Sequence, residues 1–173
     1  MTRILLLGDS LLAENDWQKR LPSYRVENLA VPGAQASDLL DSLATIASPA
    51  RGADIVVVMI GTNDLLQDND LYLQQLKQIL ITLSNSYPAA ETLVCSLLPM
   101  DLPHLPANAV SSLNHHIEAL TMRTGCCYLD LHKRFLGSSK PLFQEDGVHL
   151  TAAGYAIWER ALLEHIAFLV END

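Results

Sequence analysis

Ile55-Val56-Val57-Val58-Met59-Ile60, bounded by Asp54 before it and Gly61 after it, is the most strand-like stretch of the chain. The run is continuous rather than alternating, and it is rich in β-branched side chains. A strand with one wet face would alternate apolar and polar residues. A strand with no polar position has both faces covered, which is the signature of a parallel sheet with helices on either side. Upstream, Arg3 to Leu7 and Tyr24 to Ala30 read as two further strands. Downstream, Thr92 to Leu97 and the short run Cys126 to Leu131 complete a set of five.

The segments between these runs carry helical spacing. A short piece covers Trp17 to Leu21. Ser37 to Ala47 sets Leu39, Leu40, Leu43 and Ile46 on one face, with Ser37 or Asp38 as the expected cap. A longer helix is predicted from about Asp70 to Asn85, where Tyr72, Leu76, Ile79, Leu80 and Leu83 recur in register. After a proline-rich loop, Pro99 to Pro106, Val110, Leu113, Ile117 and Leu120 mark another. A loop through Gly137 and Pro141 then leads to a last helix over Thr151 to Phe168, which aligns Tyr155, Trp158, Leu162 and Ile166. This alternation predicts an α/β fold, a three-layer α/β/α sandwich around a five-stranded parallel sheet. The 173 residues suit one domain over residues 1–173, and neither a linker nor an internal repeat divides them.

In an open parallel sheet, ligands bind at the carboxyl ends of the strands, and the polar motifs of this chain stand at those ends. Gly8-Asp9-Ser10-Leu11 follows the first strand, Val31-Pro32-Gly33 the second, and Gly61-Thr62-Asn63-Asp64 the third; Asp146-Gly147-Val148-His149 precedes the last helix. Together they offer the parts of a nucleophilic acyl-transfer site. Ser10 is the candidate nucleophile, and His149 is the candidate base that takes its proton. Asp146 would fix the tautomer of His149. Gly33, Asn63 and the Ser10 backbone N–H would be donors to a developing oxyanion. Glycine at 33 would let the backbone approach closely because no Cβ intervenes. Asp64 is expected to cap the turn that follows it, and Asp9 to be structural.

Five other histidines compete with His149. His115 and His116 are adjacent on a helix and point in different directions. His165 lies deep in the last helix. His104 and His132 are in or next to loops and stay open on spacing alone. His149 stands out because a carboxylate precedes it by three residues. The chain lacks the Gly-x-Ser-x-Gly elbow of α/β-hydrolases, zinc-ligand spacing, a P-loop and a Gly-x-Gly-x-x-Gly turn. No cofactor or metal is therefore expected.

In order and composition, the four motifs resemble the signature blocks of the GDSL hydrolases, also called SGNH hydrolases, over nearly the whole chain from Gly8 to His149. The resemblance implies a flavodoxin-like strand order, 2-1-3-4-5. It implies that Ser10, Gly33, Asn63, Asp146 and His149 carry the chemistry, and the sequence departs from the family pattern at none of them. It also implies ester hydrolysis of a lipase-like, lysophospholipase-like or acetyl-esterase kind, with small intracellular enzymes and the platelet-activating-factor acetylhydrolase-like branch nearest in character. The expected partner is a small-molecule ester. A carbohydrate O-deacetylase with the same residues is the alternative within enzymes. A ligand-binding domain without activity is the alternative outside them, and the intact Ser10, Asp146 and His149 argue against it.

Apolar residues next to the motifs suggest a modest apolar wall. Leu11, Met100 and Val148 are the expected substrate contacts, with Leu12, Leu65, Leu66, Leu102 and Leu105 nearby. Such a site favours short acyl chains. The formal net charge of −9 argues against nucleic acid and anionic membrane surfaces as partners. Three cysteines, Cys95, Cys126 and Cys127, are too few for a disulfide scaffold, and Cys95 and Cys127 read as buried thiols. No run is long enough to cross a bilayer. The apolar run before Gly8 is too short for a signal-peptide core, so a cytoplasmic protein is expected.

Overall fold

The apolar runs become five parallel strands: β1 (Arg3–Gly8), β2 (Arg25–Asn28), β3 (Ile55–Met59), β4 (Glu91–Cys95) and β5 (Cys127–Leu129). The computed structural model describes residues 1–48, 51–100 and 102–171; residue 101 of the proline-rich loop lies outside them. The strand order is 2-1-3-4-5, as the resemblance implied. β3 is buried along its full length, as its unbroken apolar run requires. β2, at the sheet edge, is largely exposed. Register is set by pairs such as Leu6 with Asn28 on one side and Leu6 with Val57 on the other.

Helices cover both faces. On one, α3 (Ala36–Ile46) packs on α5 (Tyr72–Ser86), which packs on α6 (Ala109–Thr124). On the other, α7 (Leu131–Leu136) packs on α8 (Ala152–Glu171). The Trp158 ring of α8 meets Trp17 of α2 (Trp17–Arg20) edge to face at 5.3 Å. Both tryptophans are almost wholly buried. The amphipathic stripes read from the sequence face inward, with Leu39, Leu43, Leu76, Ile79, Leu80, Leu83, Ile117, Leu162 and Ile166 all in the core.

The structure departs from the sequence expectations in several local details. Three short helices were not anticipated: α1 (Ser10–Ala13), α4 (Thr62–Leu66) and α7, the last lying where the fifth strand was expected to end and a loop to begin. Asp130 caps α7 by accepting from the Lys133 N–H at 2.9 Å, so Leu131 belongs to a helix and not to β5. The cap of α3 is Gln35 rather than Ser37 or Asp38. Asp38 instead reaches back to accept from the Gln35 N–H at 2.8 Å. Of the cysteines, Cys95 is buried, while Cys126 and Cys127 are half-buried. The Cys127 thiol donates to Glu91, and burial first, then that carboxylate, push it up to about 12.

Gly8 ends β1 where that strand lies against β3. A Cβ at this position would sit 2.0 Å from the Met59 carbonyl oxygen, and backbone cannot yield as a flexible side chain can. The Asp9 N–H donates to the same oxygen at 3.3 Å. Close approach is what the position needs, so Gly8→Ala should cost at least about 1–3 kcal/mol in urea unfolding. Stability within about 0.5 kcal/mol of the parent, the range of a neutral surface change, would contradict this account.

Candidate active site

Three loops meet at the carboxyl edge of β1, β2 and β3. Asp9 closes the first, its carboxylate accepting from the Leu11 N–H at 3.0 Å to start α1. Ser10 is thus the first residue of a single helical turn. A four-residue helix does not hold itself together, and three side chains hold this one from outside. The Tyr155 hydroxyl of α8 donates to the Leu11 carbonyl at 2.8 Å. The Trp17 indole N–H and the Asn28 amide donate to the Leu12 carbonyl at 3.0 and 2.9 Å.

His149 reaches this turn from the far end of the sequence. Its Nε2 lies 3.1 Å from Ser10 Oγ and its Nδ1 lies 2.5 Å from Asp146 Oδ2. The other oxygen of Asp146 accepts from the Val148 and His149 N–H groups, both at 2.9 Å. The turn is tied down further where the Gln144 N–H donates to the His149 carbonyl at 2.8 Å. An ionised carboxylate only accepts, so the Nδ1 proton lies toward Asp146 and the Nε2 lone pair toward the Ser10 hydroxyl. That tautomer is the one able to take a proton from Ser10.

Electrostatics follow the same geometry. The His149 ring, then the two N–H groups, hold the Asp146 carboxyl down at about 2. Asp146 in turn raises His149 above the ordinary imidazole value, against a smaller opposing effect of burial. Behind Ser10, burial pushes the fully enclosed Asp9 up to about 7. The other histidines join nothing comparable. His115, His116 and His104 are exposed, and burial lowers His132 and His165.

Gly33, on the loop after β2, and Asn63, on α4, belong to segments that are stapled together. The Asn63 amide donates to the Ala34 carbonyl at 3.0 Å, leaving its second N–H hydrogen. The Ala36 N–H donates to both oxygens of Asp64, at 3.1 and 3.0 Å, and the Asn69 amide donates to one of them at 2.6 Å. Asp64 therefore does not cap the turn after it; it receives the start of α3 and locks the Gly33 loop against α4. Gly33 has φ near +79°, and a Cβ there would meet open space. Its glycine serves the left-handed conformation rather than a close approach. Among the described residues, neither the Ser10 nor the Gly33 N–H donates a hydrogen bond. Unpaired backbone donors of this kind suit an anionic oxygen.

The three expected substrate contacts separate. Leu11 is 1% exposed and belongs to the core, because a residue one step after Ser10 on a helix turns away from it. Met100 and Val148 are half-buried and keep surface to offer. A hollow of about 250 Å³ opens beside α4, lined by Asp64, Leu65, Tyr72, Leu73 and Leu113 among others. One residue the sequence reading missed is Glu14, whose Oε1 lies 3.8 Å from His149 Nε2. The available signal was its i+4 spacing from Ser10, which has meaning only once α1 is recognised.

His149 should therefore titrate above the ordinary histidine value of about 6.5, and Asp146→Asn should lower its midpoint, as followed by NMR of the ring. The linked stability has a fixed sign. The contribution of His149 is complete below its unfolded value and is lost as pH rises through its raised folded value. That of Asp146 is present above the ordinary carboxyl value and is lost as pH falls toward about 2. A midpoint unmoved by Asp146→Asn would contradict the pairing.

Known structures share this fold. Among solved structures, a Streptococcus pneumonia protein provisionally described as a platelet activating factor superposes with a TM-score of 0.82 at 23% identity, covering 95% of this chain and 83% of its own. A lipase/acylhydrolase from Enterococcus faecalis gives 0.79 at 20% identity, covering 96% and 95%. An acetyl xylan esterase from Geobacillus stearothermophilus gives 0.74 at 21%, covering 96% and 95%. At these identities the likeness speaks for the fold. A search of the curated proteins finds no match. No helix among the described residues is long and apolar enough to cross a membrane. The profile of the GDSL-like Lipase/Acylhydrolase family matches residues 6–157, a span that holds all four motifs, and the chain belongs to that family.

Proposed function

We propose that the protein is a serine esterase that hydrolyses carboxylic esters through an acyl-enzyme on Ser10. The observation that carries this reading is the unbroken path from Ser10 Oγ through His149 to Asp146, with contacts of 3.1 and 2.5 Å. His149 Nε2 takes the hydroxyl proton as Oγ bonds to the ester carbonyl carbon. The negative charge moves to the carbonyl oxygen, where the Ser10 and Gly33 N–H groups and the free hydrogen of the Asn63 amide receive it. The C–O bond to the alcohol then breaks, and the imidazolium gives its proton to the departing oxygen. Water, deprotonated by the same nitrogen, attacks the acyl carbon; the bond to Ser10 Oγ then breaks, Nε2 returns its proton to Oγ, and the acid is released. Asp146 holds the ring and stabilises the imidazolium throughout.

Short acyl esters fit this site best. Met100 and Val148, both half-buried, supply an apolar border of limited extent. Each methylene that still finds a wall helps by no more than about 1–3 kcal/mol, and further ones project into water.

Steady-state kinetics test these roles separately. Ser10→Ala should fold normally and lose about 10⁴–10⁶ of kcat. Asn63→Ala should lower kcat by about 10²–10³ with little change in KM, because an oxyanion donor acts mainly in the transition state. Along a series of acyl lengths, kcat/KM should peak between acetyl and roughly hexanoyl, at the limit set by the wall. A steady rise to long chains would contradict the open, shallow site. A strong preference for acetylated sugars would favour a carbohydrate deacetylase instead.

A further inference from the structure

We propose that Glu14 selects the alcohol half of the ester, favouring alcohols that carry an amine or quaternary ammonium close to the ester oxygen. This rests on the esterase reading above. Glu14 Oε1 lies 3.8 Å from His149 Nε2, the same nitrogen that stands 3.1 Å from Ser10 Oγ. In that mechanism the C–O bond to the alcohol breaks while Nε2 delivers its proton to the departing oxygen. The departing oxygen must therefore come within hydrogen-bond reach of Nε2. Whatever the alcohol carries next to that oxygen lies within a few ångströms of the Glu14 carboxylate.

The placement of Glu14 is built in by α1. Its N–H donates to the Ser10 carbonyl at 2.9 Å, which closes the helical turn and stacks its side chain over that of Ser10. Of the carboxylates around the ring, Asp146 engages Nδ1, and Asp9 has no exposed surface. Glu14 is on the Nε2 side and about half exposed. The ionic partner of Glu14 is His149 itself, and only while that ring is protonated; the Arg20 guanidinium is engaged elsewhere, donating to Glu159 at 2.8 Å and to Asn15 at 3.0 Å. While His149 is neutral, as it must be to accept the Ser10 proton, Glu14 can meet a charge brought by a substrate. The overall charge of −9 adds an attractive field of the same sign for a cation.

Acetylcholine and 3,3-dimethylbutyl acetate have the same shape and differ in charge, so their kcat/KM ratio isolates the effect. At low ionic strength the parent protein should prefer the cation by about two- to fivefold, the range that an exposed ion pair supplies. Added salt should erode the preference, and Glu14→Gln should bring the ratio close to one. A ratio that Glu14→Gln leaves unchanged, while hydrolysis of both esters still depends on Ser10, would overturn this proposal and leave the esterase reading intact. A parent protein that hydrolyses neither ester would overturn both.

Discussion

A serine on a one-turn helix is useful only if that turn is rigid, and α1 is too short to be rigid alone. Its stability is borrowed. The Leu11 and Leu12 carbonyls, which have no helical partners, accept from Tyr155, Trp17 and Asn28. These donors come from α8, α2 and β2, which belong to different parts of the chain. Burial of Trp17 and Trp158 against each other keeps two of the three elements in place. Packing of the layer beneath the sheet therefore sets where Ser10 Oγ stands, and the 3.1 Å contact with His149 is its downstream result.

The opposite wall is fixed by charge and hydrogen bonding. Asp64 is buried yet accepts from the α3 N-terminus and from Asn69, so the loop that carries Gly33 cannot drift from the helix that carries Asn63. Burial raises Asp64, and the Asp64 charge adds to the burial that raises Asp9. One oxygen of Asp9 is buried without a partner. A carboxyl pushed to about 7 in that setting spends part of its time neutral near physiological pH. Such a group can cap α1 without adding a second full charge behind the nucleophile.

Long elements and the polar motifs were legible in the sequence because each has a strong local signal. The unbroken run around Val57 requires a parallel sheet, and Asp146 three residues before His149 marks a paired turn. What was not legible lies in elements too short to show a period. α1, α4 and α7 have four, five and six residues, and a single turn repeats no pattern. Missing α1 had two consequences. Leu11 was placed toward a substrate although a helix turns it inward, and Glu14 was passed over although a helix returns it to the side of Ser10. The role of Asp64 was misread for another reason. Its partner, the Ala36 N–H, is 28 residues away, and no local pattern reports a contact of that range.

The central claim is that Ser10 attacks an acyl carbon with His149 as its base. Intact-mass and peptide mass spectrometry after treatment with a p-nitrophenyl phosphonate ester tests it directly. The account predicts one adduct, on the peptide that contains Ser10, formed faster as pH rises through the His149 ionisation and absent in Ser10→Ala. An adduct on another residue, or equal labelling of Ser10→Ala, would contradict it.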